Sequence, residues 1–227
     1  MDTDRKWVVV RIDGKIAAIS TDYRQLAVIS TMLARSGGGA DGKGRKKSRT
    51  QADRTCLYGE ITATTVGMEE IRQLRNDVRW DDLLLFGTDF QKKVWRRLWE
   101  LTHPSEHGLS AYRGEHAEQQ EELPGIPHLI SYSDFAGLCE NRAGVRAVAH
   151  AIGLNPISVV IPCHLVIPKE SIDKISAIHK KAEATIFKGD DLCISSILND
   201  SSIDFGEYAL GKDLKRTLIS MELTGRQ

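Results

Sequence analysis

The apolar positions open in strand register: Trp7-Val8-Val9-Val10-Arg11-Ile12 is β-rich, and Asp13-Gly14 is a two-residue hairpin signal leading into Lys15 to Ser20. Thr21 or Asp22 can cap a helix running to about Arg35, where Gly37-Gly38-Gly39 stops it. Residues 36–50 (SGGGADGKGRKKSRT) are Gly-rich and basic with no apolar anchor. They read as a solvated loop, with a nuclear-targeting or phosphate-contacting patch as the alternative. Cys56 to Thr62 reads as a further strand and Gly67 to Asn76 as a short helix. The pattern predicts an α/β N-terminal domain over residues 1–80.

From Phe86 the period becomes helical. Thr88 and Gln91 have the spacing of a capping box, and Val94, Leu98 and Leu101 follow on one face. Ser131 is an N-cap with Asp134 three residues on, predicting a helix that ends near Glu140 or Asn141. Gly144 to Ile152 is a second short helix closed by Gly153, so the pair resembles a helix-turn-helix. Ile157 to Ile161 reads as a buried strand stopped by Pro162. Ile172, Ile175, Ile178 and Ala182 have helical spacing, and ordinary core packing accounts for them better than a partner-binding face.

The 227 residues suit one large domain or two small ones, and 41% hydrophobic with 27% charged residues describes a globular chain. Lys+Arg and Asp+Glu stand at 31 each, which excludes binding to nucleic acid or anionic lipid by bulk charge. Four cysteines without a CxxC pair are no disulfide framework. No apolar run approaches the roughly 18 residues of a membrane span, and MDTDRKWVVV lacks a signal peptide's apolar stretch. An intracellular protein, not secreted and with no membrane partner, is expected. His103 and His107 sit four apart, as helical metal ligands can, but Pro104 intervenes and no third ligand has a recognisable spacing. Residues 102–130 therefore read as a polar surface insertion, and no metal is expected.

Candidate chemistry concentrates in residues 131–168, SYSDFAGLCENRAGVRAVAHAIGLNPISVVIPCHLVIP. The thiolate is the reactive form of a cysteine, and a histidine held by a carboxylate can draw off the thiol proton. In extended chain, however, the adjacent side chains of Cys163 and His164 point to opposite sides. Activation then needs a bridging water or a tight turn. Taken alone, the residues favour a buried structural cysteine.

The stretch RAVAHAIGLNPISVVIPCHLVIP resembles the RAV…NP…IPCHRV signature of the O6-methylguanine-DNA methyltransferases, the stoichiometric alkylguanine repair proteins. FGTDFQKKVWRRLWEL is similar to that family's GTPFQxxVWxxL helix, and FGEYALGKDLKRTLISMEL to its closing GxxxLKxxLLxxE helix. The three blocks, 86–101, 131–168 and 203–224, make up about a third of the chain. The resemblance implies a ribonuclease-H-like α/β domain over 1–80. It also implies a mainly α C-terminal domain over 86–227, with a helix-turn-helix-like DNA-binding unit and insertions at 102–130 and 169–202. By the same resemblance Cys163 is the alkyl acceptor, His164 a water-mediated base, Glu222 the carboxylate that holds the imidazole, and Asn155 the hinge that braces the turn under the cysteine. Tyr132 belongs to the base pocket, Val166 offers a backbone carbonyl to guanine, and Arg146 fills the place of the extruded nucleotide. Tyr208, Ala209 and Lys215 lie near the pocket and active-site loop. The implied partner is double-stranded DNA containing O6-alkylguanine, bound by a monomer without a cofactor, in bacterial cytoplasm or a eukaryotic nucleus.

The chain departs from the family at three places. Leu165 replaces the arginine of PCHR, His150 stands in a pair of positions that are usually small, and Ala209 stands where a serine is common. Leu165 and His150 motivate a competing reading, a lesion-binding protein without efficient transfer. A helix-turn-helix regulator with an incidental cysteine leaves Asn155, His164 and Glu222 unexplained together. A cysteine hydrolase lacks a direct base and an oxyanion motif. Neutral overall charge conceals local basic features: Lys92, Lys93, Arg96 and Arg97 on one helix, and Arg142 and Arg146 at the second short helix. Modest, shallowly salt-dependent DNA affinity through a small patch is expected.

Overall fold

A computed structural model of the chain describes residues 5–21, 60–103, 129–183 and 190–224. The expected helix from Thr21 or Asp22 to Arg35, the basic stretch 36–50 and all but the ends of 102–130 lie outside the described residues. By internal packing the chain divides into one unit of Met1–Lys92 with Asn155–Ile161 and another of Lys93–Leu154 with Pro162–Gln227.

The first unit is built on a three-stranded antiparallel sheet in the order β2-β1-β3, with β1 at Trp7–Ile12, β2 at Lys15–Ser20 and β3 at Ile61–Val66. Asp13 and Gly14 take φ of 51° and 79°, the paired left-handed conformations of a tight hairpin whose twist matches its strands. Most of the strand expected at Cys56 to Thr62 lies outside the described residues, and β3 runs from Ile61 to Val66. It is an edge strand, Thr-rich and largely exposed, so β-branching rather than apolar alternation marks it. Helix α1, Met68–Asp77, begins where Gly67 donates its N–H to the Glu70 carboxylate, and buries Met68 and Ile71.

Residues 157–161 do not form the expected strand. They fold into a buried turn in which Ile161 N–H donates to Ile157 O at 3.0 Å and Val159 takes φ of 70°. A β-branched residue in the left-handed region is sterically unfavourable and persists only where its surroundings hold it. Asn155 supplies that hold: its Nδ2 donates to Ile161 O at 2.9 Å and Ile157 O at 3.5 Å, while its Oδ1 accepts from Ile157 N–H at 3.0 Å. The apolar run was read as a strand because burial, not conformation, is what it encodes. One strand-like feature survives: Ile19 of β2 donates its N–H to Pro156 O at 3.0 Å and accepts at its carbonyl from Ser158 N–H at 3.2 Å.

Helix α2, Asp89–Glu100, starts on the expected capping box, with Thr88 N–H donating to Gln91 Oε1 at 2.8 Å and Gln91 N–H to Thr88 Oγ1 at 3.2 Å. The second unit, entered at Lys93, is mainly helical. A two-residue parallel pairing of β4 (Ile130–Ser131) with β5 (Val166–Ile167) is its only sheet among the described residues. Helix α3, Tyr132–Leu138, is capped by Ser131 Oγ, which accepts from Asp134 N–H at 3.0 Å. It ends earlier than the pattern suggested, because Glu140 turns left-handed at φ 57° and Asn141 N–H returns to Ala136 O. A short turn, Arg142–Gly144, leads into α4, Val145–Gly153. A Cβ at Gly144 would stand 2.4 Å from the Asn141 side-chain amide, which would have to turn aside to admit it.

Residues 169–202 carry α5 (Lys169–Glu183) and α6 (Asp190–Asn199). Their apolar side chains share a core with α7, Lys212–Thr224: Ile175, Cys193, Ile197, Ile203, Phe205, Ile219 and Leu223 are all buried together, with Ile172 and Ile178 packed against them. The isoleucine stripe is thus core, as its spacing suggested.

Candidate active site around Cys163

The acceptor candidate sits on a tight turn, not in extended chain. Cys163–Leu165 form one turn of 3-10 helix, closed by Leu165 N–H donating to Pro162 O at 3.1 Å. Cys163 is 6% exposed and His164 is fully buried. The turn removes the objection that adjacent side chains in a strand must face opposite ways. His164 Nε2 lies 3.1 Å from Glu222 Oε1, a carboxylate carried by α7 fifty-eight residues on. A histidine–carboxylate pair of this kind fixes the tautomer and ring orientation and favours the imidazolium.

Lys215, about two turns before Glu222 on α7, is 1% exposed and points its ammonium into the same region. Its Nζ donates to Val166 O at 2.7 Å, to Glu207 O at 3.3 Å and to the Tyr132 hydroxyl at 3.5 Å, and stands 5.6 Å from the centre of the Tyr132 ring. Burial pushes its pKa down from 10.5 to about 8, opposed by the negative charge of Cys163, Asp204 and Glu207. Burial also raises the Tyr132 hydroxyl, with the same three acidic groups adding to the effect. Tyr208 brings its hydroxyl to 3.9 Å from the Cys163 sulfur.

The loop carrying Tyr208 is held from several sides. Ser171 Oγ donates to Asp204 O at 2.6 Å, and Arg216 donates to Leu198 O at 2.5 Å while lying 5.1 Å from the Phe205 ring. Gly206 takes φ of +81°, and a Cβ there would stand 3.1 Å from Pro168 and 3.7 Å from Lys215 Nζ. Glycine is required on both counts. Gly206 and the Glu207 carbonyl escaped the sequence reading, although a glycine just ahead of the closing motif was a usable signal.

Seven of the ten residues singled out from sequence therefore meet in one place: Cys163, His164, Glu222, Tyr132, Val166, Lys215 and Tyr208. Ala209 is exposed. Arg146 is exposed on α4, and Asn155 belongs to the first unit, where it braces the 155–161 turn. Leu165 is fully buried, a position where leucine needs no partner and a guanidinium would need several. Among the cations of α2, Lys93 pairs with Glu140 at 2.5 Å, and Arg96 and Arg97 both pair with buried Glu100 at 3.0 and 2.9 Å. His103 stacks on Trp99 with ring centroids 3.6 Å apart; His107 lies outside the described residues. Cys139, Cys163 and Cys193 are thiols, not disulfides. No helix among the described residues is long and apolar enough to cross a membrane.

The described residues bring together a buried thiol on a tight turn, an imidazole paired with a carboxylate and a buried ammonium. Residues 106–184 match the family described as 6-O-methylguanine DNA methyltransferase, DNA binding domain. Over these residues the chain is similar to that DNA-binding domain. A probable methylated-DNA–protein-cysteine methyltransferase of Acanthamoeba polyphaga mimivirus is 37% identical over 90 residues, covering 40% of this chain and 45% of that protein. The methylated-DNA–protein-cysteine methyltransferase of Saccharomyces cerevisiae is 31% identical over 83 residues, covering 37% of this chain and 32% of its own length. The chain thus spans less than half the length of these relatives. The O6-methylguanine-DNA methyltransferase of Pyrococcus kodakaraensis overlays with a TM-score of 0.46 at 17% identity, over 96% of this chain and 91% of that one.

Proposed function

We propose that the chain repairs DNA directly, by moving an alkyl group from O6 of guanine to Cys163. The observation that carries this reading is the Cys163 turn itself, with His164 Nε2 on Glu222 at 3.1 Å and Lys215 on the neighbouring Val166 carbonyl at 2.7 Å. The thiol proton passes through a bridging water to His164, whose positive charge Glu222 offsets. The thiolate attacks the alkyl carbon, a C–S bond forms and the C–O6 bond breaks, its electron pair staying on guanine. One proton, matching the one the thiol gave up, then completes normal guanine. Tyr132 and Lys215 lie where that charge is delivered, and the second lone pair of the Val166 carbonyl can accept from the guanine amino group. A thioether has no route back to thiol in such a site, so each molecule reacts once.

The alkyl group of an O6-alkylguanine lies within the base stack, so the nucleotide must first leave the duplex, at a cost of a few kcal/mol. In this reading α3 and α4 act as a helix-turn-helix, α4 enters the minor groove, and Arg146 fills the vacated place. The exposure of Arg146, with Ala147 exposed beside it, favours that assignment. Partner and compartment follow the activity: duplex DNA, bound by a monomer.

The test mixes the protein with a duplex carrying O6-methylguanine and follows the Cys163 peptide by mass spectrometry. One added methyl group, absent in Cys163→Ala, is expected. Tight lesion binding without that adduct would establish the lesion-binding alternative instead.

A further inference from the structure

We propose that Ser171, on α5, is a positioning residue for the chemistry at Cys163, a role that deepens and rests on the repair reading above. By fixing the Asp204 carbonyl it sets the path of residues 204–208, which bring Tyr208 to the acceptor sulfur and the Glu207 carbonyl to Lys215. Residues 203–208 belong to no helix or strand, so their carbonyls have no ladder to pair with. Side chains of the two flanking helices take that part. Arg216 of α7 donates to Leu198 O at 2.5 Å and Asp200 O at 3.3 Å, Lys174 of α5 to Ser202 O at 2.5 Å, and Ser171 of α5 to Asp204 O at 2.6 Å. Every second carbonyl from 198 to 204 is held in this way. Ser171 and Lys174 stand three apart, which puts both on one face of α5.

The grip at Asp204 leads directly into the site. Ser171 is 3% exposed, whereas Lys174 reaches its carbonyl at the surface. The Asp204 carboxylate accepts from Gly206 N–H at 2.9 Å, closing a short turn, and one residue on Glu207 O accepts from Lys215 Nζ at 3.3 Å. Tyr208 comes next, its hydroxyl 3.9 Å from the Cys163 sulfur. On the apolar side Phe205 is buried with Ile175 of α5 and Ile197 of α6. On the solvent side Lys212 pairs with Glu207 at 2.8 Å, an exposed contact that holds a loop weakly. Residues 169–202, which read from sequence as an insertion, thus supply the support of the loop beside the acceptor.

Ser171→Ala removes the donor at the Asp204 carbonyl, which must then turn to water to be satisfied. The loop relaxes outward and draws Tyr208 off the sulfur. Lys215 keeps its shorter bond to Val166 O, which lies outside the loop, so the thiolate is still favoured while the geometry for transfer is lost. Access and chemistry therefore move in opposite directions: the thiol opens to small reagents as transfer from DNA slows.

The test uses the full chain in two assays. In the first, protein in excess over a duplex carrying O6-methylguanine gives a limiting transfer rate and a half-saturating concentration. Ser171→Ala is expected to lower the limiting rate about tenfold and to change the half-saturating concentration by less than about twofold. Lys174→Met, at an exposed position, is expected to act in the same sense by about threefold. In the second assay, iodoacetamide labelling is read by peptide mass spectrometry. Cys163 of Ser171→Ala should label about fivefold faster than in the unaltered chain, while the buried thiols Cys139 and Cys193 stay protected. General loosening would label all three instead. An unchanged limiting rate, unchanged Cys163 labelling, or labelling of the three thiols together would each overturn the role of Ser171. The two readings fail separately. Selective labelling of Cys163 in Ser171→Ala, with no methyl accepted by the unaltered chain, removes the repair reading and leaves the brace, whereas equal transfer rates for both proteins do the reverse.

Discussion

Replacing Lys215 by methionine keeps the length and apolar stem of the side chain and removes the ammonium with its bonds to Val166 O, Glu207 O and the Tyr132 hydroxyl. The fall of the lysine pKa from 10.5 to about 8 amounts to roughly 3 kcal/mol against the charged form in the folded protein. At pH 7 about nine molecules in ten still carry the charge, a unit below that value. Between about pH 8 and 10.5 the unfolded chain keeps the proton that the folded chain has lost, so stability from this group rises with pH through that window and the penalty is fully present below it. Lys215→Met removes the penalty. Its stability in urea at pH 7 should match or exceed that of the unaltered protein to within about 1 kcal/mol, and the gain above pH 8 should vanish. Reactivity should move the other way. Cys163 helps to hold Lys215 protonated, and by reciprocity the ammonium favours the Cys163 thiolate. Alkylation of Cys163 by iodoacetamide at pH 7, read by mass spectrometry, should slow on the order of tenfold, with the rate–pH curve displaced upward. A variant several kcal/mol less stable with an unchanged alkylation curve would make Lys215 a tether only, and the electrostatic argument would be wrong.

Three further substitutions test other parts of the site. Glu222→Gln leaves a neutral acceptor near His164 Nε2, and single-turnover methyl transfer should slow by about 10- to 100-fold while the melting temperature changes little. Asn155→Ala removes three hydrogen bonds from a buried turn that contains Val159 at φ 70°; urea denaturation should show a loss of about 2–4 kcal/mol. Leu165→Arg places a guanidinium at a position that is fully buried here, and should lower stability by at least about 3 kcal/mol; an unchanged unfolding midpoint would mean that the surroundings of residue 165 already accommodate a guanidinium.

Short-range chemistry was the part of this fold most open to reading from sequence. The Asp13-Gly14 hairpin, the Thr88–Gln91 capping box and the Ser131 cap each rest on a few neighbouring residues whose preferences are intrinsic, and each stands where expected. Residues 157–161 misled because an apolar run reports burial and not conformation; the turn depends on Asn155, whose side chain bonds across six residues. The site was legible in its motif residues but not in its arrangement. Cys163 and His164 are adjacent in sequence, yet whether they can cooperate depends on a 3-10 turn that no local preference announces. The Lys215 cradle is made largely of backbone carbonyls, and every residue has one, so composition carries no trace of it.

Charge shows the same division between what is counted and what is placed. With 31 cations and 31 anions the chain reads as indifferent to DNA, and a concentration of Lys92, Lys93, Arg96 and Arg97 on one helix reads as the exception. The structure lightens that weighting: three of those four cations meet two carboxylates within the protein, so half of the helix's positive charge is offset internally. The shorter helix α4, with one arginine and one histidine, carries no acid at all, and its small residues let a polyanion come close enough for a few charges to count. Affinity for DNA in a neutral protein then depends on where cations lack internal partners rather than on how many there are.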